Sequence, residues 1–156
     1  MPRTIATNTK VDRDAMLDFV RLRHKMVLLT PRSDGGWQGS PVTGGVDAEG
    51  RIVISTYPER AKALNVARHQ KASVVVLSDD FGSAWIQVDG DAELLTLPEA
   101  LEPLVEYFRC ISGEHPDWEE YRRAMLAQGK ALIRITPTRW SPIATRCSTS
   151  SGCATR

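Results

Sequence analysis

Hydrophobic and polar positions along the chain fall into short segments of two periods. In "VDRDAMLDFVRLRH", Ala15, Met16, Phe19, Val20 and Leu22 recur near helical spacing, and Asp12 is placed to cap the helix start. "KMVLLT" is an apolar strand stopped by Pro31, and "PRSDGG" is a turn-rich link. "WQGSPVTGGV" predicts an irregular strand, because Gly39, Gly44 and Gly45 weaken pairing yet let another group come close to the backbone. "DAEG" reads as a turn and "RIVIST" as a strand running directly into a short helix. "ASVVVLS" is a further strand, and "DDFG" a hairpin link. In "SAWIQVDGDAELL", Ala84, Ile86 and Val88 alternate with Trp85, Gln87 and Asp89. Helices follow at about residues 97–112 and 116–128, and "KALIRITPTRW" is a last strand.

The order is therefore a helix, about four strands with a short helix inserted among them, two helices and a strand. Consecutive strands joined by turns predict an antiparallel sheet, and the late helix pair makes the class α+β. An antiparallel barrel with helices packed outside fits better than a doubly wound sheet. The sequence has no repeat of 20–50 residues, no GxGxxG after a strand and no GxxxxGK[ST].

Composition narrows the class. A chain of 156 residues suits one compact domain, read as 1–144, with the Ser/Thr/Gly-rich 145–156 as a polar, disordered tail. A net charge of +1 gives no global field for nucleic acid. No apolar run approaches the ~20 residues of a membrane span. "MPRTIATNTKVDRD" lacks the apolar core of a signal peptide, so a cytoplasmic protein is expected. Cys110 reads as a buried thiol in an apolar helix, and Cys147 and Cys153 lie in the tail; these spacings suit neither a disulfide framework nor a zinc site. His24, His69 and His115 have no i,i+4 pairing and read as surface or capping residues. Trp118 and Tyr121, at helical spacing, read as core or interface.

Two helix starts share a grammar. Thr56-x-x-Glu59 has the form of a capping box with Pro58 just inside, and Thr96-x-x-Glu99 with Pro98 repeats it. The second box is followed by Ala100, Leu101 and Glu102, which suits the positive end of the helix dipole. The first is followed by Arg60 and Lys62, which does not. Either a negative group docks there or the two cations form a solvated basic face.

Together, "SPV" at 40–42, "DAEG", "RIVIST" and "ERAKALNVARHQKASVVVL" resemble, in order and spacing, the split β-barrel superfamily of flavin-binding proteins whose namesake is pyridoxamine 5′-phosphate oxidase. The likeness covers about residues 15–140. More narrowly, "SGEHPDWEEYRRAM" and "DGGWQGSPVTGGVD" resemble the actinobacterial branch that uses the deazaflavin coenzyme F420. The terminal "RWSPIATRCSTSSGCATR" does not match the segment that completes the substrate-phosphate site of the oxidases, so pyridoxamine phosphate is not the expected substrate.

The resemblance implies a split barrel whose basic helix start, Arg60 and Lys62, holds the phosphate of a ribityl side chain. It places the tricyclic ring against Gln38, Ser40, Pro41 and Val42, with Ser55 and Thr56 near the ring or the ribityl chain. It implies a homodimer with the site at the subunit interface; Trp85 then covers the partner's cofactor or packs the interface. Trp37 covers the ring's other side or simply packs. Arg32, Arg68, His69 and Lys71 are candidates for the coenzyme's polyglutamate tail. The implied reaction is hydride transfer from reduced F420 to a small conjugated acceptor such as a quinone, tetrapyrrole or enone, with no catalytic side chain assigned. FMN as cofactor, or a non-catalytic F420 carrier, are the alternatives.

Overall fold

A computed structural model describes residues 7–145. The tail expected to be disordered, with Cys147 and Cys153, lies outside the described residues apart from Thr145. In chain order the elements are β1 (Asn8–Thr9), α1 (Arg13–Arg21), β2 (Lys25–Pro31), β3 (Trp37–Val46), β4 (Ile52–Thr56), α2 (Ala61–His69), β5 (Lys71–Val76), β6 (Ile86–Leu95), α3 (Leu101–Ser112), α4 (Trp118–Gln128), β7 (Ala131–Trp140) and β8 (Ile143–Ala144). Strands β2 to β7 close into an antiparallel barrel in the order β2-β3-β4-β7-β6-β5, the α+β split barrel expected.

The two periods explain the layers. Asp12 caps α1, accepting from Ala15 N at 2.9 Å, and the helix buries Met16, Leu17, Phe19 and Val20. Met26, Leu28 and Thr30 of β2, and Ile86 and Val88 of β6, turn inward at every second position. β4 and the start of β7 are instead buried on both faces, which is why "IVI" and "ALI" are uninterrupted apolar runs. Their outer residues Val53 and Leu132 pack under α3 and α4 with Ala100, Leu104, Val105 and Tyr121. There the Tyr121 hydroxyl donates to the Leu104 carbonyl at 2.9 Å, so Trp118 and Tyr121 belong to this packing.

β4 and β5 sit on opposite sides of the ring of strands. The segment joining them, α2, therefore crosses the barrel mouth, and its Val66 joins the interior cluster. No helix among the described residues is long and apolar enough to cross a membrane.

Neither Thr-x-x-Glu box forms. Thr56 is still in the ladder, paired with Ala131, so its backbone cannot turn to cap a helix. Residues 57–60 make a turn in which Arg60 N donates to the Tyr57 carbonyl at 3.1 Å, and α2 begins only at Ala61. α3 likewise begins at Leu101, again without a side-chain cap. A short clasp absent from the expected order pairs Asn8 with Ala144 and Thr9 with Ile143. Two-residue strands carry no periodicity to read.

Candidate functional site

β3 is paired along its whole outer part with β2, from Trp37 to Thr43, but with β4 only at Gly44–Val46. Past Ile54, β4 stays with β7 as far as Thr56. The two strands thus part, and residues 37–43 keep one edge that no strand pairs among the described residues. Pro41 sits in the middle of this stretch. Having no N–H, it belongs where the ladder asks for no donor, with its nitrogen at the open edge. Cross-strand partners share a face. Gln38, Ser40 and Val42, opposite Thr30, Leu28 and Met26, therefore turn toward the interior, and Trp37, Gly39, Pro41 and Thr43 face out. The Ser40 hydroxyl is buried without a hydrogen-bond partner among the described residues. Such a group is normally satisfied by a protein or water partner.

On the other side of the gap lies the β4–α2 junction. Thr56 is buried, its hydroxyl donating weakly to the Tyr57 carbonyl at 3.4 Å, and Ser55 is half-buried on the opposite face. Arg60 takes the extended N-cap position of α2 without a side-chain capping bond, and no acid lies in the first turn. Neither Arg60 nor Lys62 has an ion-pair partner among the described residues. Burial, and then the Arg60 charge, hold the Lys62 ammonium below the usual lysine value. Tyr57 lies between cations, with Lys130 Nζ 4.1 Å and Arg60 Cζ 6.0 Å from its ring centroid. Uncapped helix N–H groups and two unpaired cations, one partly desolvated, can hold an anion.

The structure thus collects Ser55, Thr56, Arg60 and Lys62 at one junction and Gln38, Ser40, Pro41 and Val42 on the neighbouring strand. Trp85 lies elsewhere: it precedes β6, three strands from β3 around the ring, and bridges to Ala144. An open cavity of about 420 Å³ lies between β6 and the end of β7, lined by Gln87, Asp89, Arg139 and Trp140 among others.

Of the three glycines expected to admit a ligand, only Gly39 faces open space. A Cβ there would meet only Leu29 Cδ2, at 3.3 Å. Gly44 and Gly45 serve packing, since a Cβ would lie 2.6 Å from Met26 Sδ and 2.5 Å from Cys110 Sγ respectively. Gly45 lets α3 approach the sheet where β3 and β4 still pair, while Gly44 makes room for Met26 and Ile54 inside the barrel. The sequence reading missed two buried polar residues at the barrel mouth, Thr30 and Asn65. The signal was present: Thr30 occupies an inward position after Met26 and Leu28, and Asn65 lies between Ala63 and Val66 on the buried side of α2.

The histidines stay structural where the structure records contacts. His24 Nδ1 hydrogen-bonds the Gly44 carbonyl at 2.9 Å, and His115 Nδ1 accepts from Asp117 N at 2.9 Å beside the Phe108 ring. Cys110 is half-buried, and burial, with Glu106 and Asp47 nearby, pushes its thiol up to about 11. Its thiolate fraction near neutral pH is then about 100-fold below that of an ordinary thiol. Iodoacetamide is expected to label the Cys110 peptide about that much more slowly in native protein than in urea, as followed by mass spectrometry. Equal rates in both would show the thiol to be accessible and ordinary.

Residues 13–144 match the family described as pyridoxamine 5′-phosphate oxidase, and the chain belongs to that family. Solved structures share its fold. The conserved hypothetical protein Rv2991 from Mycobacterium tuberculosis aligns with a TM-score of 0.71 at 22% identity, over 88% of each chain. A structure described as an F420 reductase aligns with a TM-score of 0.59 at 18% identity, over 80% of this chain and 94% of that one. General Stress Protein 26 from Bacillus anthracis aligns with a TM-score of 0.57 at 15% identity, over 84% and 92%. At these identities the likeness is one of fold.

Proposed function

We propose that this protein is an F420-dependent oxidoreductase that passes hydride from the reduced deazaflavin to a small conjugated acceptor. The observation that carries the reading is the start of α2, where Arg60 and Lys62 flank uncapped N–H groups, with no acid in the first turn and no ion-pair partner for either cation among the described residues. The donor set fits a phosphorylated, planar ligand. The cations suit its phosphate, the open edge of β3 offers backbone hydrogen bonds to a ring, and the Ser40 hydroxyl has no hydrogen-bond partner among the described residues. Gly39 leaves the outer surface of that edge flat. Arg68 and His69 at the end of α2 and Lys71 at the start of β5 are exposed and can meet a polyglutamate tail. The F420 reductase among the structural neighbours adds to this choice of cofactor.

Bound there, the coenzyme supplies the hydride. The chain's own residues hold the phosphate, present the ring edge and limit water, so no acid–base pair is required of the protein. A homodimer completes the site in this reading. Outward-facing Pro41, Val27 and Val75 line up across three adjacent strands where a solvated barrel face would be polar, and at the start of β3 Trp37 is 63% exposed. FMN is the second reading. It is favoured by membership of a family described by pyridoxamine 5′-phosphate oxidase, and it would use the same phosphate site.

Titration of the purified protein with F420 and with FMN separates these readings, followed by turnover of reduced F420 with a panel of quinones, tetrapyrroles and enones. F420 fluorescence quenching with turnover supports the reductase, and quenching without turnover supports a carrier. A tightly bound FMN spectrum supports the second reading, and binding of neither overturns both. A pH arm tests the phosphate contact. Affinity should hold while Lys62 is protonated and fall as pH rises through its lowered value, earlier than an ordinary lysine would dictate. Lys62→Arg should remove that alkaline fall.

A further inference from the structure

Three side chains from three elements form a hydrogen-bonded chain across the barrel mouth. Asn65 Nδ2, on α2, donates to Thr30 Oγ1 on β2 at 3.2 Å, and Thr30 Oγ1 donates to Gln38 Oε1 on β3 at 3.3 Å. Gln38 Nε2 then donates to the Gly39 carbonyl at 3.2 Å. Thr30 is 0% exposed and Asn65 6% exposed, so these groups cannot trade partners with bulk water.

The direction of the chain follows from one group. The Gly39 carbonyl can only accept, so the Gln38 atom facing it must be the amide nitrogen. The Gln38 oxygen therefore faces Thr30, whose single proton is spent on it. Thr30 can then only accept from Asn65, which fixes the Asn65 nitrogen in turn. Each amide has one orientation in which every contact pairs a donor with an acceptor. With its oxygen engaged, half-buried Gln38 has one Nε2–H left over.

We infer that Asn65 and Thr30 are positioning residues that hold the Gln38 amide as a hydrogen-bond donor, so that the gap between β3 and β4 selects a ligand offering an acceptor there, such as a ring carbonyl. This rests on the function proposed above, in which a planar conjugated ligand lies along β3. A glutamine free to rotate would present oxygen or nitrogen equally well and could not discriminate.

Two measurements test it. In ligand-free protein, the Gln38 side-chain amide signal in a ¹⁵N NMR spectrum, assigned by its loss in Gln38→Met, should move in Thr30→Val and return in Thr30→Ser. With F420 as probe, Thr30→Val should weaken binding by about 3–10-fold and Gln38→Glu by about 10–100-fold. The absorption maximum of bound F420 should shift in Thr30→Val and recover in Thr30→Ser, which a loss of packing alone would not produce. An amide signal unmoved by Thr30→Val overturns the chain itself, whatever the ligand. A signal that moves as expected, with unchanged affinity and spectrum for F420, overturns ligand selection by Gln38 while the proposed cofactor stands. If the signal moves but wild-type protein binds neither F420 nor FMN, ligand selection falls together with the proposed function.

Discussion

Replacing Arg60 and Lys62 together with alanine is expected to weaken binding of a phosphate-bearing flavin or deazaflavin by about 10²–10⁴-fold, because each charged hydrogen bond is worth about 1.5–3 kcal/mol. Lys62→Ala alone should cost about 10–100-fold. Neither cation has an ion-pair partner among the described residues, and both stand where the helix dipole opposes positive charge. Removing them should leave the folded state as stable as before, or up to about 1 kcal/mol more stable. Fluorescence titration with F420 reads the affinity, and urea unfolding reads the stability. Affinity that survives the double substitution removes the anion site, and the basic turn is then only a solvated face. A large loss of stability would mean that the cations hold the turn together.

The largest expected effect on stability lies far from that turn, at Gly90. Here the β6–β7 ladder shifts register, with Asp89 opposite Arg139 and Gly90 opposite Pro137. A Cβ on Gly90 would fall 2.3 Å from the Thr136 carbonyl oxygen and 2.7 Å from Ile135 Cγ2. Backbone cannot swing aside as a side chain can, so alanine must push two barrel strands apart. We expect Gly90→Ala to cost about 3 kcal/mol or more, lowering the melting temperature by roughly 6–12 °C. Gly39→Ala is the control. Its new methyl would meet only the flexible end of Leu29, and the loss should stay below about 1 kcal/mol. Thermal and urea unfolding of both variants checks the contrast, and equal losses would refute it.

Much of this architecture was legible because local pattern and tertiary role agree. The inward Ile86 and Val88 and the Asp12 cap follow from period and capping chemistry alone, whereas the apolar run of β2 does not show that Met26, Leu28 and Thr30 are its inward set. The placement of β7 between β4 and β6 was not legible, since no local signal says which strand a late segment will join. The Thr-x-x-Glu boxes misled for a related reason. Thr56 satisfies the capping pattern, but pairing with Ala131 had already claimed its backbone. At the candidate site, Arg60 and Lys62 stood out because they contradict the dipole. The gap beside them was half written in Pro41, whose place in mid-strand is tolerated only where a ladder is missing on one side. The role of the Gly44–Gly45 pair was hidden, because whether a glycine admits a ligand or a neighbouring helix depends on what folds over it.

The parting of β3 from β4 also bears on solubility. A sheet closed into a ring leaves little for another chain to extend, and among the described residues the outer part of β3 is one stretch that runs unaccompanied on one side. Without a bound molecule or a second subunit over it, that stretch is the natural place for an extended segment of another chain to add itself. Pro41, unable to donate at its centre, interrupts such an addition halfway, so the residue that marks the opening also guards it against fibrillar growth.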